Sequence, residues 1–221
     1  METEATSSSH KEKPANPWLL AAEGFGLFVV LPLLFYWELV PLPKVLGLLL
    51  VTGYCVYRLW RDPSFGKGLL RRENPSNASK FILLRLIVAL LGIAGLVWLL
   101  QPEAFFSFPR EQPLIWILVV FLYPLLSALP QEVIYRTYFF HRFDEHIPLK
   151  NGTVILSALA FSFLHIVYDN WWALALSFVA GLLLGITYER TKSLFWVTVE
   201  HSIYGLIVFT LGLGNFFYEP F

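Results

Sequence analysis

Charge is scarce in this 221-residue chain. Asp, Glu, Lys and Arg make up 14% of it, against about a quarter in a soluble domain, which excludes a water-soluble fold. The two signs cancel, 16 basic against 16 acidic residues, so there is no basic excess to track a phosphate backbone and no nucleic acid among the expected partners. The single cysteine, Cys55, excludes an intrachain disulfide. No internal repeat stands out, which counts against a transporter built from repeated halves. The opening METEATSSSHKEKPAN is polar and mixed in charge, reading as a short disordered tail without a cleavable signal peptide. What the chain has in quantity is apolar surface: 57% of its residues are hydrophobic and its mean hydropathy is +0.61. The expected fold class is all-α, a polytopic membrane helical bundle.

A helix crosses a bilayer with about 20 apolar residues, within a range of about 17 to 25. Such runs lie at Trp18–Leu39, Val45–Leu59, Phe81–Leu100, Leu114–Phe143, Thr153–Tyr168, Trp171–Tyr188 and Leu194–Leu213. That is about seven transmembrane helices, the second of them short. The fourth run is too long for one regular crossing and contains Pro124 and Pro130, so a kink or a pair of half-helices is expected there. With the N-terminus in the cytoplasm and alternating spans, 13 of the 16 basic residues fall inside, Lys44 and Arg110 fall outside, and Arg85 lies within the third span. This asymmetry fits the positive-inside rule. It implies a multi-pass protein with a cytoplasmic N-terminus and an outer C-terminus, expected in a bacterial inner membrane.

The expected divisions are a disordered cytoplasmic tail (1–17), an N-terminal transmembrane hairpin (18–60), a cytoplasmic loop (61–80) and a third helix with its outer loop (81–113). A C-terminal core (114–213) and an aromatic C-terminal tail (214–221) follow.

Four polar side chains interrupt the apolar runs: Glu132, Arg136, His165 and His201. Burying an ionisable group in hydrocarbon costs several kcal/mol unless a partner or water compensates. Glu132 and Arg136 are four apart and share a helix face. Counted from the cytoplasmic ends of their spans, Glu132, His165 and His201 lie at depths of about 17, 18 and 11 Å, so the three can meet in one layer. A carboxylate and two imidazoles in that arrangement can activate a water. Each residue alone also has a plain explanation. A Glu–Arg pair at this spacing is more often structural, and a lone membrane histidine as often bonds a neighbouring helix. Glu23, Arg85 and Glu200 carry the same plain explanation, with Arg85 close enough to the cytoplasmic end to snorkel. The pairs Phe105-Phe106, Trp171-Trp172 and Phe216-Phe217 suit an interfacial belt.

Together the motifs say more. QEVIYR contains Glu-x-x-x-Arg, FSFLH contains Phe-x-x-x-His, and EHSIYG places a histidine in the last span. In that order, over Leu114 to Leu213, the chain resembles the CAAX-protease and bacteriocin-processing family of intramembrane proteases, and within it the type II CAAX prenyl endopeptidases. The family pattern is Glu-Glu-x-x-x-Arg, Phe-x-x-x-His, and His followed four residues later by Asn or Asp. Two positions depart from it: Gln131 stands where the first glutamate, usually assigned as the base, is expected, and Gly205 where the Asn or Asp is expected. Gln131 can hold a water but cannot take its proton, and Gly205 has no side chain to offer an oxyanion.

The resemblance implies an intramembrane endopeptidase that hydrolyses a peptide bond of a membrane-associated substrate. Glu132, His165 and His201 are its expected catalytic residues. In this expectation Glu132, with Glu200 as the other candidate base, takes the proton from water, His165 and His201 hold the water or the oxyanion, and Arg136 fixes the carboxylate. Gln131, Phe161 and Glu200 support them, and Ser202 or Tyr204 stand as donors in place of the missing amide. No cofactor is required in this scheme. Zinc held by Glu132, His165 and His201 is the alternative. The expected partners are a membrane-associated peptide or protein substrate and the bilayer. Two rival functions remain: a catalytically impaired relative that binds a membrane substrate, and a small transporter or proton relay.

Overall fold

A computed structural model describes residues 16–66 and 75–217, with side chains in the second segment from residue 79 onward. The expected tail before residue 16, residues 67–74 of the expected loop and the last four residues lie outside the described residues. The described residues form an all-α bundle of seven principal helices: α1 Pro17–Tyr36, α2 Lys44–Arg61, α3 Pro75–Leu100, α4 Pro113–His146, α5 Gly152–Tyr168, α6 Trp171–Thr191 and α7 Leu194–Leu211. Each corresponds to one expected span. Five of them, α1, α3, α4, α6 and α7, are long and apolar enough to cross a membrane. The second helix carries Thr52, Tyr54 and Arg58 among its apolar residues, and α5 is shorter than a full crossing.

The chain starts and stops its helices with short-range chemistry. Asn16, Asn170 and Ser193 cap α1, α6 and α7 by accepting the N–H of Trp18 (3.0 Å), Ala173 (2.8 Å) and Trp196 (3.4 Å), which satisfies backbone donors that have no partner within the helix. At the end of α7, Gly212 takes φ +114° against the backbone of Ala104, where a Cβ would collide with the Ala104 carbonyl. Only glycine meets both conditions.

Polarity is inverted relative to a soluble protein. Trp18, Trp60, Leu99, Leu114 and Phe121 are exposed, whereas Glu132, Arg136, Ser157 and Glu200 have no solvent exposure. Such a surface suits lipid, and the polar groups inside must satisfy one another. Helices of this kind associate by close packing rather than by a hydrophobic driving force. The most extensive pairing is α5 on α6, where Gly181 faces Ala158 so closely that a Cβ there would lie 3.0 Å from the Ala158 Cα. Gly185, one turn on, meets Val154 in the same way.

The fourth helix settles what its prolines do. It runs through 34 residues as one helix rather than two halves. Two stretches, Pro124–Ala128 and Val133–Tyr138, are wound as π-helix. At the end of the first, the Leu129 N–H reaches back five residues to the Pro124 carbonyl. Proline supplies no N–H and crowds the preceding turn, and the wider winding absorbs both effects without breaking the rod. Gln131 and Glu132 sit between the two wide stretches, on the part of α4 that is buried all round.

Candidate active site

Three helices, α4, α5 and α7, bring the sequence motifs together around one ring. Phe161 of α5 lies with its centroid 4.9 Å from that of His165 and 5.4 Å from that of His201, both edge-on, and the Arg136 guanidinium sits 5.1 Å above it. The ring packs against both imidazoles.

Glu132 and Arg136 form a fully buried ion pair, Oε2 to Nε, at 3.2 Å. Arg136 also donates to the Ser157 hydroxyl and, more weakly at 3.4 Å, to the Tyr135 carbonyl. Ser157 in turn donates to that carbonyl at 2.6 Å. The other Glu132 oxygen, Oε1, lies 2.7 Å from Nδ1 of His201. A carboxylate oxygen accepts, so the His201 proton is assigned to Nδ1 and its lone pair to Nε2. His165 is fixed by the same logic. Its Nδ1 lies 2.8 Å from the Phe161 carbonyl, which only accepts, so its lone pair is also on Nε2. These tautomers are assigned from their acceptors.

Both histidines line a cavity of about 220 Å³, together with Gln131, Ser127, Tyr123 and Gly205. Glu132 does not line it and has no exposure. Gln131 donates its amide N–H to the Ser127 hydroxyl at 2.8 Å, and its carbonyl oxygen has no hydrogen-bond partner among the described residues. A second, more apolar cavity of about 100 Å³ lies behind this one, between α1 and α2. Ser127, Gln131, His165 and Tyr168 line both, forming the partition between them.

The remaining expected residues are placed differently. Glu200 is fully buried on the far side of α7, where it accepts from Tyr204 (2.8 Å) and pairs with Arg85 at 3.5 Å. Arg85 therefore turns inward instead of snorkelling, donating also to the Leu183 carbonyl (2.9 Å) and Thr187 (3.1 Å). Tyr204 presents its ring to the cavity while its hydroxyl is committed to Glu200. Ser202 donates to the Thr198 carbonyl at 2.7 Å and is not among the cavity residues. Glu23 joins four groups at the other end of the bundle, ion-pairing with Arg58 (2.8 Å) and Arg142 (3.0 Å) and accepting from Tyr54 and Tyr138.

Among the described residues no three His, Cys, Asp or Glu side chains gather as a metal site. Glu132 meets His201 through Nδ1, the nitrogen turned from the cavity, so carboxylate and both Nε2 lone pairs cannot share one ion as placed.

Tyr123 and Ser127 line the cavity and are not among the sequence candidates. Tyr123 immediately precedes Pro124 of α4, and its ring lies 6.0 Å from that of His201 at a steep angle. Nothing in its local sequence separates it from a belt tyrosine.

Residues 113–207 match the family described as type II CAAX prenyl endopeptidase Rce1-like. Comparison with curated proteins and with solved structures gives no match. The matched segment opens at the first residue of α4 and closes inside α7, so it contains each residue described around Phe161. The chain is an integral membrane protein whose residues 113–207 are similar to that family.

Proposed function

We propose that this chain is an intramembrane endopeptidase that cleaves a membrane-associated, CAAX-type peptide, with His201 as the general base and Glu132 as the carboxylate behind it. The observation that carries this reading is the 2.7 Å contact between Glu132 and Nδ1 of His201 on an imidazole that lines the cavity. The proton acceptor thus moves from Glu132, the sequence expectation, to His201. A carboxylate that holds an imidazole in one tautomer, and stabilises the imidazolium once it forms, performs the part played by the acid of a catalytic triad.

Water in the cavity donates one O–H to Nε2 of His201 and the other to the free carbonyl of Gln131. As its oxygen attacks the scissile carbonyl, His201 takes the proton. It returns that proton to the leaving amine when the C–N bond breaks, so acid, amine and neutral imidazole are restored. His165 offers a second fixed acceptor for the water or a substrate N–H. Gln131 positions and does not deprotonate, which suits the residue in the place of the usual base. The apolar cavity beyond Gln131 and His165 has room for the end of a lipid-modified tail outside the hydrolytic chamber.

The second reading, a substrate binder without turnover, rests on the absence of a carboxylate among the described residues that line the cavity. Incubating the full chain in nanodiscs with a prenylated CaaX peptide and following the released fragment by mass spectrometry separates the two. Hydrolysis that His201→Ala removes supports the endopeptidase. Saturable binding without hydrolysis makes the protein a binder. A cytoplasmic N-terminus and outer C-terminus belong to the same reading, and reporters fused after Gly66 and at the C-terminus should then report opposite sides of the membrane.

A further inference from the structure

The cavity is rich in acceptors. With the tautomers fixed as above, Nε2 of His165, Nε2 of His201 and the Gln131 carbonyl all present lone pairs. A reaction that builds negative charge on a carbonyl oxygen needs a donor at the same place. Tyr204 has spent its hydroxyl on Glu200, and Ser202 has spent its own on the Thr198 carbonyl.

Tyr123 has not. Its side chain lines the cavity beside His201, and its hydroxyl has no hydrogen bond among the described residues. The phenol also explains Gly205. A Cβ at 205 would fall inside the van der Waals envelope of three Tyr123 atoms, Cζ, Oη and Cε1. The space into which a side chain at 205 would project, one turn along α7 from His201, is therefore filled from across the cavity by the end of the tyrosine ring. A side chain at 205 and the Tyr123 ring in its present place exclude each other.

We propose that Tyr123 is a catalytic residue of this site, its hydroxyl donating to the carbonyl oxygen of the bound peptide as that oxygen becomes negative, and that Gly205 is a positioning residue that makes room for it. The proposal rests on the endopeptidase reading for its reaction, but its geometry stands without it. The phenol belongs to α4, which also carries Gln131, so donor and water-holder ride on one rigid helix. A tetrahedral oxyanion forming beside Nε2 of His201 has in Tyr123 a donor that gives up no existing bond in order to reach it.

The test uses the full chain in nanodiscs with two probes, a prenylated CaaX peptide and its phosphonamidate analogue, which carries a tetrahedral anion in place of the scissile amide. Tyr123→Phe removes one oxygen and no packing volume. It is expected to lower kcat by roughly 10²–10³-fold, as loss of one oxyanion donor does, with KM little changed. Binding of the analogue should weaken by a similar factor, while binding of the plain peptide stays the same. Gly205→Ala, which pushes the ring aside while keeping its hydroxyl, should lower kcat in the same direction. Equal loss of affinity for both probes in Tyr123→Phe would make the phenol a wall of the pocket and overturn the proposal. So would a loss in Gly205→Ala with none in Tyr123→Phe. If the wild-type chain cleaves nothing, the endopeptidase reading fails by itself, and the ratio of analogue to peptide affinity in wild type and Tyr123→Phe still decides the role of the hydroxyl.

Discussion

Glu132→Gln tests the buried centre most directly, because the carboxylate serves two partners that can be separated. On one side it neutralises Arg136 at 3.2 Å, with neither side chain exposed. On the other it holds Nδ1 of His201 at 2.7 Å. An amide keeps the shape and removes the charge. Arg136 is then left with a hydroxyl and a carbonyl for its guanidinium, and stranding a buried charge costs about 3–5 kcal/mol. For a chain of this length that corresponds to a fall in Tm of about 6–20 °C, readable in nanodiscs from the fluorescence of the 8 tryptophans. Turnover should fall further, by about 10⁴-fold, the scale seen when the carboxylate behind a catalytic imidazole becomes an amide. The double variant Glu132→Gln/Arg136→Met removes the stranded charge as well. It should recover much of the lost Tm and none of the lost turnover, because His201 still lacks its carboxylate. Recovery of both would mean that Glu132 matters only to the ion pair, and an unchanged rate in the single variant would remove it from the chemistry altogether.

Other outcomes follow from single contacts. Gly181→Leu should separate α5 from α6, since even a Cβ meets the Ala158 backbone at 3.0 Å; overpacking costs about 1–3 kcal/mol, and an unchanged Tm would refute the close approach. Asp62 follows α2 and, although partial burial pushes its carboxyl up, hydrogen bonds from Ser64 and its contact with His141 bring it down to about 2. Its folded value lies below that of a free aspartate, about 3.9, so the contact stabilises the fold above about pH 4 and is lost as pH falls towards 2. Wild type should therefore lose more Tm over that interval than Asp62→Asn, and parallel curves would show that the contact contributes nothing. Chelator should leave hydrolysis intact, whereas inhibition reversed by zinc would revive the set of Glu132, His165 and His201.

The bundle was legible in the sequence because lipid imposes a coarse and linear demand: each span must be apolar and about 20 residues long. All seven expected spans appear as helices. The site was half legible for a related reason. A charged or imidazole group inside such a run is conspicuous by its cost, so Glu132, Arg136, His165 and His201 stand out one by one, and their motif order places them on neighbouring helices. Direction is what a linear pattern lacks. Arg85 was close enough to an end to snorkel, but a buried carboxylate across the bundle, Glu200, gave it a better partner than interfacial water. Ser202 and Tyr204 bear hydroxyls one and three residues past His201, yet backbone and Glu200 claim them first. The prolines of α4 marked an irregularity without its form, since a missing N–H can be met by a break or by a wider turn, and only the neighbouring helices decide which. Tyr123 is the furthest from view. An aromatic hydroxyl costs little in an apolar run, so nothing flags it, and its importance comes from a glycine 82 residues away. In the sequence, Gly205 looks like a lost side chain. In the structure it is the space that another side chain occupies, so a substitution at a signature position can move a function to a different helix as well as remove it.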